Sequence, residues 1–310
     1  MMNNTNKQSF LLVAAMLLTV LLTGCLKDDL SGCPRPFQVT IKALDADRRD
    51  ITELGDVQQV LLFVFDENDK IFDTFILSEQ EVKQRKLIDI QLRFPATKSF
   101  KFIAWANLDD KVDYSEISTV QELSHLYVKL KKQSGRSINN NIAHSPGDLF
   151  YGNLQVPTPI GDAQAGQVHT IEIERMTVGV TISAISLKAW NGGKEGIYTY
   201  LVRESYDLCD CHGAMLGEKI NYAPICSLNE SGNLLAPIFY AFPPEKGAGF
   251  VVDILYNGEV IYTVDSDNKG VLFTIEKGRT LNIIIDFRAN LHIISEITPW
   301  NVVFQYVDFS

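Results

Sequence analysis

The 310-residue sequence contains no His-Glu-x-x-His, no Gly-x-Ser-x-Gly and no phosphate-binding Gly-Lys loop. Zinc-hydrolase, serine-hydrolase and P-loop readings therefore have no motif to rest on. The five histidines, His125, His144, His169, His212 and His292, are scattered, and none falls within a nucleophile motif. Basic residues are in short supply: 28 Lys and Arg stand against 38 Asp and Glu, a net charge of −10. That balance argues against nucleic acid, whose phosphates demand a basic footprint. No apolar run reaches the roughly 20 residues of a membrane-spanning helix. There is no β-α-β alternation and no short repeat, which excludes doubly wound folds, solenoids and propellers. No long stretch is biased enough to read as disordered, and an apolar content of 46% suffices for packed cores. These absences predict a non-enzymatic protein with no cofactor, no metal and no nucleic-acid partner.

The most informative stretch that is present lies near the N-terminus. Lys7 is the only charge ahead of an apolar run of 13 residues, Phe10 to Leu22, and the run ends in Leu22-Thr23-Gly24-Cys25. A basic start, a short apolar run and small residues read as an export signal. The Leu-Thr-Gly-Cys stretch resembles a bacterial lipobox. The resemblance implies that residues 1–24 are removed and that Cys25 receives lipid as the mature N-terminus. An uncleaved inner-membrane anchor is the competing reading, and the run is short for one. Lys27-Asp28-Asp29 resembles the tag that sends lipoproteins of Bacteroidetes-type bacteria to the outer face of the outer membrane. A charged, flexible tether would have the same composition.

Beyond Cys25, four cysteines remain: Cys33, Cys209, Cys211 and Cys226. An exported chain can form disulfides, and the number is even. Cys209 and Cys211 alternate and would share one face of a strand, with Cys226 as the partner for one of them. Zinc on Cys209, Cys211, His212 and Cys226 is a further option, although the spacing fits no known zinc pattern. A disulfide or free thiols are preferred.

Strand signals dominate the rest. Phe37 to Ile41 alternates. Val57 to Phe65, turned by Asp66 to Lys70 into Ile71 to Leu77, reads as a hairpin. Leu87 to Phe94 and Lys101 to Ala106 follow as strands. Thr119 to Leu130 is the best helix candidate, with Val120, Leu123, Leu126, Tyr127 and Leu130 at helical spacing, Ser118 or Thr119 as cap and Glu122 in a capping box. Ser134 to Pro146 is polar and reads as a loop. Prolines and small polar residues put a domain boundary at about 157–167. A second strand series covers His169 to Val180, Thr181 to Ala189, Ile197 to Val202, Leu235 to Ala241, Phe250 to Tyr256, Glu259 to Val264, Val271 to Ile275 and Thr280 to Phe287. Asn257-Gly258 between two alternating runs is a strong hairpin signal. Short strands at this spacing predict all-β sandwiches.

The opening Cys25-Leu26-Lys27-Asp28-Asp29-Leu30-Ser31-Gly32-Cys33-Pro34 resembles that of the FimB/Mfa-type family, the lipoprotein anchors of strand-exchange fimbriae in Bacteroidetes. The later parts are similar in order: a VLLFVFDENDKI hairpin, a FIAWANL strand, a DLFYGN element, an IERMTVGVTISA strand and an EITPWNVV ending. The resemblance implies two transthyretin-like β-sandwich domains in tandem, with a short helix in the first, over residues 25–160 and 161–310 after a signal peptide at 1–24. It also implies a lipid-anchored outer-membrane protein, exposed at the surface, that anchors a fimbrium and limits its length. Its partner is then the stalk subunit, bound by β-strand complementation. Stalk subunits of that family need an Arg-specific cut. Arg48-Arg49 follows the first strand here instead of lying ahead of a removable one, so no processing site is carried over.

Three features stay outside that reading. Asp265-Ser266-Asp267-Asn268-Lys269-Gly270, with Glu276, nearly matches a calcium loop, but Lys269 puts a cation where an oxygen ligand is needed. Trp105, Trp190 and Trp300 are candidates for a sugar-stacking platform, which makes a surface glycan-binding lipoprotein the alternative function. The apolar segment Trp300 to Phe309, charged only at Asp308, is either an edge strand of its own sandwich or one that pairs with a partner.

Overall fold

A computed structural model describes residues 36–91, 97–116, 118–133, 141–158, 167–288 and 291–304. The chain is all-β apart from short helical turns. The first strands are β1 (Phe37–Leu44), β2 (Gln59–Phe65), β3 (Ile71–Ser78), β4 (Ile88–Ile90) and β5 (Ser99–Ala106). Three short strands follow, β6 (Val112–Tyr114), β7 (Tyr127–Leu130) and β8 (Ile142–Ala143), then β9 (Phe150–Pro157) and β10 (Val168–Arg175). The remainder are β11 (Val178–Ile185), β12 (Tyr198–Asp210), β13 (Met215–Tyr222), β14 (Ser227–Leu228), β15 (Leu234–Ala241), β16 (Val251–Tyr256), β17 (Glu259–Val264), β18 (Arg279–Asp286) and β19 (His292–Pro299).

Seven strands form the first sheet, in the order β3-β2-β5-β9-β10-β1-β4, with β1 and β10 parallel. Its strands β2 and β5 are apolar on both faces, and the core shows why. Val60, Leu62 and Val64 of β2, with Phe100, Phe102 and Ala104 of β5, enter one core together with Phe37, Val39 and Ile41. The alternate residues Leu61, Phe63, Phe65, Ile103 and Trp105 enter a second core. A strand buried on both sides reads as a continuous apolar run instead of an alternating one. That second core also contains the interior of the C-terminal half. There, the five-stranded sheet β14-β15-β11-β18-β19 supplies Val180, Ile182, Leu281 and Ile283. The facing sheet, β17-β16-β12-β13-β8 with β7 and β6 attached through β12, supplies Tyr200, Val202, Val252 and Ile254. The back of the first sheet therefore belongs to the same apolar cluster as the interior of the second sandwich.

The expected hairpins are present. Asp66 turns β2 into β3 by accepting the amides of Asn68 (2.8 Å) and Lys70 (2.9 Å). Asn257 and Gly258, at φ of 49° and 89°, turn β16 into β17. A type I′ turn requires such left-handed angles at both central residues. The first half also carries a short helix, α1 (Glu79–Lys83), started by a capping box between Ser78 and Glu81. A short helix in the first half is what the family resemblance implies, although it lies ahead of Thr119 to Leu130. A second short helix is α2 (Leu187–Trp190).

Other expectations are corrected. Thr119 to Leu130 is not a helix. It contains one 3-10 turn, Leu123–His125, followed by β7. Val128 and Leu130 are buried while Tyr127 is exposed, so the period is two from there on. The Ser115 hydroxyl donates to the His125 carbonyl and accepts the Tyr127 amide (3.0 Å), which fixes the switch from turn to strand. His169 to Val180 is two strands in different sheets, β10 and β11. The expected boundary at about 157–167 falls between β9 and β10, which lie in one sheet. The chain leaves that sheet between Arg175 and Val178. Strands β6, β7 and β8, from the first half of the sequence, pair with the second half. The last described strand is β19, His292–Pro299; of the segment Trp300 to Phe309, expected as an edge or partner strand, residues 300–304 are described and form no strand.

At 2% exposure, Trp105 lies between the first sheet and the C-terminal interior, against Tyr151 at 4.8 Å. Trp105→Ala is expected to destabilise the protein by about 3–5 kcal/mol. Because the core is shared, both halves should still unfold in one calorimetric transition, and two resolved transitions would contradict the shared core.

Candidate functional site

The strongest concentration of charge, aromatic stacking and chain geometry lies where the chain passes from the first sheet to the second. Arg175 ends β10 and is 5% exposed. A buried guanidinium needs partners for its donors. Its Nε donates to both Asp148 oxygens (2.9 and 3.0 Å), and one terminal nitrogen donates to Asp56 (2.6 Å). Asn107 holds the two acidic loops together by donating to the carbonyls of Asp56 (2.7 Å) and Asp148 (2.9 Å). The guanidinium carbon lies 4.9 Å from the Phe150 ring centre and 4.8 Å from that of Trp300. Trp300 in turn stacks on Tyr240, at 4.9 Å and 11°. One side chain thus touches β9, the loop before β2 and the C-terminal segment.

Burial pushes the Asp148 carboxyl up to about 6, against the pull of Arg175 and with the help of the Asp56 carboxylate. Its protonated form is therefore favoured by folding.

After β19 the chain turns back over the five-stranded sheet. Asn301 has a φ of 59° and its amide bonds the Thr280 hydroxyl (3.0 Å). The Phe304 amide bonds Asn282 Oδ1 (3.0 Å). Val302, Val303 and Phe304 nevertheless remain 46%, 50% and 40% exposed. Among the described residues, the sheet edge beside them, β19, pairs only with β18. Asn268 covers one rung of that edge, its amide bonding the Ile293 carbonyl (3.1 Å) and its Oδ1 accepting the Ile293 amide (2.6 Å). An exposed apolar segment next to an edge strand is the kind of surface that β-pairing partners use.

Cys25, Lys27, Asp28 and Asp29 lie outside the described residues, as do Cys33 and residues 305–310. No disulfide joins Cys209, Cys211 and Cys226. The Cys226 sulfur lies 3.7 Å from the Tyr198 carbonyl, at the start of the 13-residue strand β12, and Cys209 is near its end. At roughly 3.3 Å per residue the separation along the strand is roughly 36 Å, far beyond the reach of a disulfide. Burial pushes the Cys209 thiol up to about 12, so it packs as an inert apolar group. Asp210 accepts the amides of His212 and Ala214 (both 2.9 Å) in a tight turn. Asp267 is likewise spent on the amides of Lys269 (2.8 Å) and Val271 (3.0 Å). No group of three or more His, Cys, Asp or Glu arranged for a metal occurs among the described residues. Nor is any helix among them long and apolar enough to cross a membrane.

The tryptophans do not form one platform: Trp105 is in the core, Trp300 is stacked on Tyr240, and Trp190 packs against Phe287 at 4.5 Å. Sequence reasoning missed Arg175, Asp148, Asp56, Tyr240, Thr280 and Asn282. Only Arg175 left a signal, as a charge between apolar residues in Ile173 to Val180. Arg48 and Arg49 sit in a turn after β1, with Arg48 paired to Glu172 and Glu174 of β10.

A family model described as fimbrillin-A associated anchor proteins Mfa1 and Mfa2 matches residues 30–306. The major fimbrium anchoring subunit FimB of Porphyromonas gingivalis W83 is 34% identical over 312 residues, covering 99% of this chain and 100% of that protein. FimB of strain ATCC 33277 matches to the same extent. Among solved structures, the fimbrial anchor protein Mfa2 of P. gingivalis superposes with a TM-score of 0.62 at 16% identity, covering 86% of this chain and 98% of that one. A putative polysaccharide-binding protein of Bacteroides thetaiotaomicron gives 0.64 at 18% identity, with the same coverage. At these identities the two structures speak for the fold alone.

Two results are expected at Arg175. Arg175→Met should cost about 3–5 kcal/mol, because it leaves two carboxylates beside a closed site without their counter-charge. The pH response of Asp148 should run opposite to that of an ordinary ion-paired acid. A raised folded-state value gives stability that is complete below about 4 and is lost as pH rises through about 6. Wild type should therefore gain stability relative to Asp148→Asn between pH 7 and about pH 4.5 in denaturant titrations. A relative loss would contradict the assignment.

Proposed function

We infer that this chain, which belongs to the family of fimbrillin-A associated anchor proteins, is the lipid-tethered base of a fimbrium on the outer membrane. The observation that carries the reading is full-length similarity, at 34% identity, to subunits named for anchoring the major fimbrium. Its role is structural. Lipid on Cys25 supplies the membrane attachment, each buried methylene adding about 0.8 kcal/mol. Lys27, Asp28 and Asp29 direct the protein to the outer face. The stalk subunit binds at the other end of the chain, where Val302, Val303 and Phe304 are exposed beside the edge strand β19. Complementation by a strand gives affinity through main-chain hydrogen bonds and register through alternate side chains. A subunit fixed in the membrane and joined to the stalk on one side ends the fibre there, which limits its length.

Cys25→Ala is expected to abolish lipid labelling and to release the protein from the membrane fraction. A variant that stays equally bound refutes the tether. Replacing Lys27, Asp28 and Asp29 by Ala should leave labelling intact and reduce cleavage by external protease in whole cells. Deleting residues 301–310 should abolish stalk attachment while the melting temperature changes by only a few degrees. Gross unfolding would instead make that segment part of the protein's own core.

A further inference from the structure

We infer that Thr280 and Asn282 on the outer face of the five-stranded sheet dock main chain, and that residues 300–304 are held there as a latch that keeps their own backbone from pairing with a partner. The inference rests on the reading of that segment as the stalk-contacting element. Thr280 and Asn282 lie two residues apart on β18 and so share a face, opposite to the core residues Leu281 and Ile283. Both are buried. Asn282 is locked by its neighbours: Oδ1 accepts the Thr181 hydroxyl (2.9 Å) and Nδ2 donates to the Thr298 hydroxyl (2.9 Å). Its remaining acceptor capacity points at the Phe304 amide. Gly179 pairs with Thr280, and a Cβ there would come within 2.9 Å of the Thr280 hydroxyl oxygen. The missing side chain keeps that acceptor open for the Asn301 amide.

The segment docked there is strand-like in composition, with two valines and a phenylalanine in succession. It is not held as a strand. Asn301 is left-handed, the Val302 amide bonds the Pro299 carbonyl (3.1 Å), and the Val302 carbonyl accepts the Thr298 hydroxyl. The Tyr240 hydroxyl donates to Asn301 Oδ1 (2.8 Å), beside the Trp300 stack. The amides of residues 301, 302 and 304 are thus spent locally, while the side chains of Val302, Val303 and Phe304 are exposed. A partner that pairs with this main chain must first displace these contacts. Its apparent affinity is then reduced by the fraction of molecules that are unlatched.

The test uses the full mature chain and the purified stalk subunit of the same fimbrium. Two variants weaken the latch by different routes: Trp300→Ala removes the stack, and Thr280→Val removes the acceptor for Asn301 while keeping shape. Both should speed amide hydrogen exchange at Asn301 and Phe304 and tighten stalk binding by about fivefold. Unchanged exchange, or faster exchange with unchanged or weaker binding, overturns the latch. Failure of the underlying reading is a separate result: deletion of residues 301–310 would leave stalk binding intact.

Discussion

The buried guanidinium of Arg175 is the contact on which the arrangement turns. It stands where the chain leaves the first sheet, and it binds Asp148 and Asp56 from that half while lying under Trp300 from the C-terminus. A planar, permanently charged group can do both at once, donating in its plane and stacking on its face. Lysine, a point charge on a flexible stem, would satisfy the carboxylates and leave the rings without a flat partner. The charge also needs the rings and the carboxylates together, since a buried cation missing either is costly.

Around that contact the two halves behave as one body. Phe63, Phe65 and Trp105 from the first sheet belong to the same apolar cluster as Val180, Tyr200 and Val252. Strands β6, β7 and β8 come from the first half of the chain and pair within the second. The C-terminal segment is thereby tied to the first sheet through Trp300 on Arg175.

Much of this was legible in the sequence, and the limits have physical causes. The hairpins at Asp66 to Lys70 and at Asn257-Gly258 carry their own turn chemistry, so local residues decide them. Thr119 to Leu130 failed because its apolar spacing satisfied a helix while Ser115 and β12 pulled Tyr127 to Leu130 into a sheet. β13, with Glu218 and Lys219 mid-strand, is largely exposed and offers no apolar alternation to read. β10 and β11 merged into one expected strand because the alternation of β10 runs on into apolar β11 and the break at Met176-Thr177 contains neither glycine nor proline. At the site, Trp300 was visible as an aromatic near the end, but its partners Tyr240 and Arg175 are distant in sequence. Thr280 and Asn282 look like ordinary polar alternation until the sheet brings Thr181 and Thr298 beside them.

The central claim is that the outward-facing C-terminal residues touch the stalk. It is tested most directly by placing a photo-crosslinking amino acid at Val303 in cells that assemble fimbriae, with Val260 on the far edge strand β17 as the control position. The account predicts a crosslinked product with the stalk subunit from position 303 and none from position 260. A stalk product from 260 alone, or from neither position while fimbriae remain anchored, would contradict it.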